Sequence, residues 1–268
     1  MIAHLLKIDL KKLANYRTFW VVCGLYFFTL GMTTASGMEF LKWLVRMGAE
    51  FGADINISRI PLYHFPDVWQ NLTFISGFFK GILGFMVVIS ITNEFTYRTV
   101  RQNIIDGLSR QQFMLSKVLT NALLSAMSMI MVYVIALVTG LIYSPSISMT
   151  DLVMDLEFFP AYFLEVFAFL SFALLLGVSI QRSGLTIVIL VLAPMIEAII
   201  RANVDDYVPW LIPYFPLESI SNLVPMPFQR YVFREIQDYV SLASVVVVLF
   251  WTVVFNYLAY LKLKRSDI

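Results

Sequence analysis

A charged segment interrupts an otherwise apolar chain: Thr92-Asn93-Glu94-Phe95-Thr96-Tyr97-Arg98-Thr99-Val100-Arg101, continuing through Gly107-Leu108-Ser109-Arg110 to Lys117. Its apolar residues Phe95, Val100, Ile104, Ile105, Leu108 and Phe113 are spaced to form one buried stripe. Arg98, Arg101, Gln102 and Asp106 fall elsewhere on the helix. A compact, amphipathic, water-accessible segment of this kind offers recognition of a soluble partner through charge and shape, and no catalytic role. Gly107 predicts a helix stop and Ser109 an N-cap for the helix that follows.

Three more ionisable residues lie inside apolar stretches: Lys80, Glu165 and Glu197. An intramembrane charge costs at least ~2.5 kcal/mol on insertion scales, so each must face protein, water or a partner. Lys80 is too deep to reach the interface with its own stem, which predicts a Lys80–Glu165 pair, either structural or on a substrate path. Glu197 and Arg201, four apart in the favourable order, predict a local helix pair. Cys23 is the single cysteine and lies in an apolar run, so neither a disulfide framework nor a cysteine metal cluster is expected. His4 and His64 are the only histidines, and no metal site is expected. Gly77, Gly81 and Gly84 would allow close helix packing, expected within the subunit ahead of a dimer seam. Asn56-Ile57-Ser58 and Asn71-Leu72-Thr73 match glycosylation acceptors by chance, the latter inside an apolar stretch.

The elements that position these residues follow from composition. Hydrophobic residues make up 59% of 268, charged residues 14%, and mean hydropathy is +0.79. These values exclude an ordinary soluble domain and predict an all-α polytopic membrane protein forming a single transmembrane domain over 1–268. Six stretches are long enough to span: 19–37, 68–92, 118–143, 158–180, 184–200 and 240–261. Over residues 1–17, Ile2, Leu5, Leu6, Leu10 and Leu13 recur at helical spacing against His4, Lys7, Lys11 and Lys12. That pattern predicts an interfacial elbow helix rather than a cleavable signal. Residues 38–67 read as an interfacial helix plus a loop. Residues 203–239, rich in proline and aromatics, read as an outer re-entrant or interfacial region.

With the N-terminus inside, one face receives Lys7, Lys11, Lys12, Arg17, Arg98, Arg101, Arg110, Lys117, Arg182, Lys262, Lys264 and Arg265. The other keeps only Lys42, Arg46, Arg59, Arg201, Arg230 and Arg234. The positive-inside rule therefore predicts N-in, C-in topology.

The ordered series Glu94, Arg98-Thr99, Gly107, Ser109-Arg110, Phe113 and Lys117 resembles the cytoplasmic loop between the second and third spans of ABC type-2 (ABC-2) transporter permeases. The motif match covers 92–117, and the likeness in layout covers most of the chain. Leu108 departs from the pattern, since many relatives have proline there. The resemblance implies a type V exporter-like permease fold in which residues 94–116 form a coupling helix seated on a separate ATP-binding subunit. It implies that Glu94, Arg98, Arg101 and Arg110 help fix this contact, with Thr99, Gly107 and Ser109 shaping the segment and Lys117 anchoring its membrane end. It further implies a second copy or a related permease, and a multi-pass location in a bacterial inner membrane. No Walker-type phosphate loop occurs in the chain, so ATP and magnesium would be held by the partner, with no cofactor bound here. The bilayer is the other partner, and nucleic acid is not one.

Two other functions compete with an ATP-driven exporter. Glu197-Ala198-Ile199-Ile200-Arg201 faintly resembles the Glu-x-x-x-Arg of a prenyl-protease-like intramembrane enzyme family, but the paired glutamates and histidines that family needs in later spans are missing. A non-transporting scaffold or sensor bound to an ATPase has the same sequence features as an exporter.

Overall fold

The computed structural model describes residues 9, 11–46, 62–228, 237 and 239–266. Among these residues the chain is helical, with no strand. The expected elbow helix falls largely on residues 1–8 and 10, outside the described residues, and so does most of the loop expected before residue 67.

The principal helices are α1 (Arg17–Arg46), α2 (Val68–Gly77), α3 (Lys80–Thr96), α4 (Thr99–Ile105), α5 (Arg110–Tyr143), α6 (Met149–Val153), α7 (Phe158–Ile180), α8 (Ser183–Asp205), α9 (Pro216–Ser221) and α10 (Leu242–Arg265). A 3₁₀ turn at Pro209–Tyr214 precedes α9. Among the described residues, five helical segments are long and apolar enough to cross a membrane, or six if the α2–α3 pair is one span. At about 1.5 Å per residue, the 23 residues of α7 reach roughly 35 Å, enough for a hydrocarbon core of about 30 Å. By length and composition this is a multi-pass membrane protein.

Helix α7 is the central post, packed against α10, α3, α5, α2 and α8. Its long face of buried Phe, Leu, Val and Ala supplies more of the shared core than any other described helix does. On α5 the inward face is different: Lys117, Asn121, Ser125, Ser128, Val132, Ala136 and Gly140 recur at three- and four-residue steps. Small and polar residues let helices approach closely where lipid gives no hydrophobic drive for association. Tyr26 of α1, Ser128 of α5 and Tyr162 of α7 meet there through their hydroxyls, at 2.5 Å and 2.7 Å from Ser128 Oγ.

The second expected span is broken. Helices α2 and α3 are bent by 41° across Phe78–Phe79. No proline causes this. Gly77 instead permits close approach of Glu165, for a Cβ there would fall 2.8 Å from Glu165 Oε1. The third span begins earlier than hydropathy predicts, at Arg110, because Ser109 accepts from Gln112 N–H and Gln112 returns a bond to Ser109 N–H. This reciprocal capping box fixes the helix start well before the apolar stretch.

Helix α8 is largely exposed, touching the bundle through a stripe of Thr186, Leu190 and Glu197. Arg110 at the start of α5 donates to the carbonyls of Leu263, Lys264 and Ser266 at the end of α10, and Lys12 Nζ donates to Asn103 Oδ1 at 2.8 Å. The beginnings of α1 and α5 and the ends of α3 and α10 therefore share one end of the bundle.

Candidate functional site

At that shared end, the polar segment is built in two layers. The inner layer is a buried charge cluster. Lys117 contacts both Asp9 and Glu94 through its ammonium, and all three are nearly buried. Thr120 Oγ1 donates to Asp9 Oδ2 at 2.6 Å, and Asn103 Nδ2 reaches Glu94 Oε2 at 3.4 Å. Lys12 lies 3.9 Å from Glu94 Oε2. The Lys117 ammonium also sits 5.3 Å from the Phe113 ring centroid. Glu94 thus ties α3 to α4 through Asn103, to α5 through Lys117, and to the N-terminal segment through Lys12.

This placement departs from the expectation that Glu94 helps fix the partner contact, whereas Lys117 is held inside the segment as an anchor would be. A carboxylate and an ammonium that satisfy one another out of water have little left to offer a partner. Their geometry instead clamps the segment to the bundle. The sequence carries no signal for Asp9, since a lone acid among lysines in an amphipathic pattern looks like surface.

The outer layer is exposed. Helix α4 turns Val100 and Ile104 inward, with Val100 buried and Ile104 half-buried, while Arg101, Gln102 and Ile105 face out. Tyr97 and Ile105 are 71% and 68% exposed, large apolar groups beside the exposed Arg98 and Arg101. The expected single stripe is therefore incomplete, since Ile105 points away from the core. The segment expected as a coupling helix over 94–116 consists of helical pieces, with the break after Ile105 falling where Gly107 and Ser109 predict it. Helix α3 runs through Thr96, the short α4 occupies Thr99–Ile105, and α5 starts at Arg110.

Each break has a local cause. Arg98 has φ 56° and Gly107 φ 98°. The left-handed region is open to glycine but costs an arginine roughly 1–2 kcal/mol. Gly107 terminates the short helix as the sequence predicts, whereas Arg98 holds a position that glycine would fill without strain. Thr99 Oγ1 donates to the Glu94 carbonyl at 3.3 Å across the Arg98 turn. Arg110 does not face outward freely. Its Nη1 is 2.9 Å from the Leu263 carbonyl and 2.5 Å from that of Lys264, so it binds the end of α10, where a cation also meets the negative end of the helix dipole.

The membrane-level charges form separate sites. Lys80 Nζ lies 2.5 Å from Glu165 Oε1, which is the pairing expected from their depth. Lys80 begins α3, and the Glu165 carboxylate also lies against Gly77, the last residue of α2. Glu197 does not pair with Arg201 as expected. It accepts from the backbone N–H groups of Leu217 and Glu218 at 3.0 Å and 2.6 Å, capping the start of α9, while Arg201 pairs with Glu218 at 2.5 Å. Unsatisfied N–H groups at a helix start outcompete a local side-chain pair, because a charge-assisted bond to each removes the cost of burying it. Of the glycines, Gly77 and Gly84 pack inside the chain, against Glu165 and against Phe169 and Leu190. Gly81 faces open space.

The fold and its buried charges define a helical multi-pass membrane protein with a basic, partly apolar platform over a buried ion cluster at one end. Residues 51–268 match the family described as "Protein of unknown function (DUF2705)", and the chain belongs to that family. No curated protein matches it.

Proposed function

We propose that this chain is the membrane-spanning permease subunit of an ATP-driven ABC-2-type exporter. Its platform docks a separate ATP-binding subunit through Tyr97, Arg98, Arg101 and Ile105. The observation that carries this reading is the pairing of an exposed basic and apolar face with a buried clamp directly beneath it. Force applied to α4 passes through Glu94 and Lys117 to α3 and α5, and through Arg110 to α10. A partner that closes on ATP can then shift whole helices instead of deforming a loop.

The twelve basic residues assigned to the platform side fit a cytoplasmic location by the positive-inside rule, giving N-in, C-in topology with α2 and α3 as one bent span. The exposed apolar flanks of α8 and α10 suit lipid and a second permease copy. ATP and magnesium belong to the partner, and the location is a bacterial inner membrane.

The test is co-purification from native membranes. Arg98→Glu with Arg101→Glu reverses two exposed charges and leaves the buried clamp untouched. The double variant is expected to fold normally and lose an ABC ATPase that accompanies the unaltered chain. Retention of that ATPase at the original stoichiometry would overturn the docking role.

A further inference from the structure

A cleft of about 420 Å³ opens on the flank of the bundle between α3, α7 and α8, with the end of α9 at its rim. Its volume falls within the roughly 300–1,000 Å³ of small-molecule sites. The walls are apolar, chiefly Phe78, Phe169, Leu190 and Val191, and Phe78 and Val191 are themselves exposed. Pro194 lines the same opening; within α8 it supplies no N–H for the helical ladder. The floor is polar. Lys80 Nζ is bound to Glu165 at 2.5 Å and lies 3.4 Å from Ser221 Oγ. Of the ion pair, Lys80 is the more open, with its side chain 13% exposed against 4% for Glu165. Ser221 and Asn222, both exposed, make a polar rim.

We infer that this cleft is a binding site for an acyl-ester lipid, whose chain lies along Phe78, Phe169 and Leu190 and whose ester carbonyl accepts from Lys80 and Ser221. The grading from apolar wall to polar rim selects an amphiphile. The ion pair selects the head: it is net neutral, so a fully charged group is opposed by one partner, while a carbonyl takes the spare ammonium N–H without that penalty. Nothing in this site depends on an ATPase, so it stands or fails separately from the docking platform.

The test uses the full chain in lipid nanodiscs and probes sharing one diazirine-bearing acyl chain: a monoacylglycerol, a diacyl phospholipid, a free carboxylate and an alkylamine. After photolysis, peptides carrying the label are mapped by mass spectrometry. An ester probe is expected to label the α3, α7 and α8 segments around the cleft more than the carboxylate or amine does. Labelling by the diacyl probe identifies bilayer lipid as the source, and labelling by the monoacyl probe alone identifies a free amphiphile. Gly81→Leu projects a side chain into the open cleft while leaving the ion pair intact, and should reduce ester labelling about tenfold. The paired replacement Lys80→Met with Glu165→Leu removes the head contact without stranding a buried charge. It should also reduce labelling about tenfold, the worth of one charge-assisted hydrogen bond. Ester labelling at the cleft that Gly81→Leu leaves unchanged, amine labelling equal to ester labelling, or no labelling there would each overturn the proposal.

Discussion

Lys117→Met is the most severe single change expected at the platform. The substitution keeps the length and apolar stem of the lysine but deletes the ammonium that contacts Asp9 and Glu94. Both carboxylates are then left in the interior, 3% and 9% exposed, without their principal counter-charge. Removing one member of a buried ion pair typically costs about 3–5 kcal/mol, because the remaining charge has paid its desolvation and lost its compensation. Lys12, at 3.9 Å from Glu94 and on the exposed side, offsets little of that. Equilibrium unfolding of the full chain by SDS in mixed micelles, followed by circular dichroism, measures the loss. A neutral triple variant, Asp9→Asn with Glu94→Gln and Lys117→Met, removes every charge of the cluster together and should recover at least half of it. A Lys117→Met protein within about 1 kcal/mol of the unaltered chain would refute the reasoning, since it lies well below the cost of stranding buried charge. So would a triple variant no more stable than the single one.

Other expectations follow from the same geometry. Arg98→Gly should raise stability by about 1 kcal/mol by relieving the left-handed turn, yet weaken the proposed ATPase docking through loss of a guanidinium, so the same unfolding titration and a pull-down should move in opposite directions. Ser109→Ala should cost about 1 kcal/mol through loss of the capping box, and Gly107→Ala a further 1–2 kcal/mol (roughly) for a side chain at positive φ, both read by SDS unfolding. Glu197→Ala removes two charge-assisted bonds to the start of α9, each worth about 1.5–3 kcal/mol, and should make the 203–228 segment markedly more sensitive to protease added from the side of α9. Unchanged cleavage rates would show that α9 is held by other contacts.

Much of the bundle was legible because span length and hydropathy are local properties. The starts and ends of α7 and α8 lie within a few residues of the stretches read from apolar runs, and Gly107 and Ser109 punctuate the chain where their backbone chemistry requires. The Lys80–Glu165 pair was legible too, since two isolated charges at membrane depth have few affordable partners. The 41° break between α2 and α3 was not. It has no proline, and beside it Gly77 meets the carboxylate of Glu165, a residue of another helix far along the chain. Nor could sequence pattern separate the two layers of the platform. A basic residue near a span end satisfies the positive-inside rule whether it is solvated, like Arg101, or buried, like Lys117. The positions of Asp9 and Glu94 distinguish them. For Glu197, the i,i+4 spacing to Arg201 was a sound local signal that lost to unsatisfied backbone donors brought close by the proline-rich turn.

The proposed docking role is tested most directly by site-specific photocrosslinking in native membranes. A photoreactive residue is placed singly at Arg101, at Ile105 and, as a lipid-facing control, at Val188, which is 53% exposed on α8. The expected result is an adduct with an ABC ATP-binding protein from positions 101 and 105 and none from 188. Adducts with no ATP-binding protein at 101 and 105, in membranes where the chain is intact and folded, would contradict it.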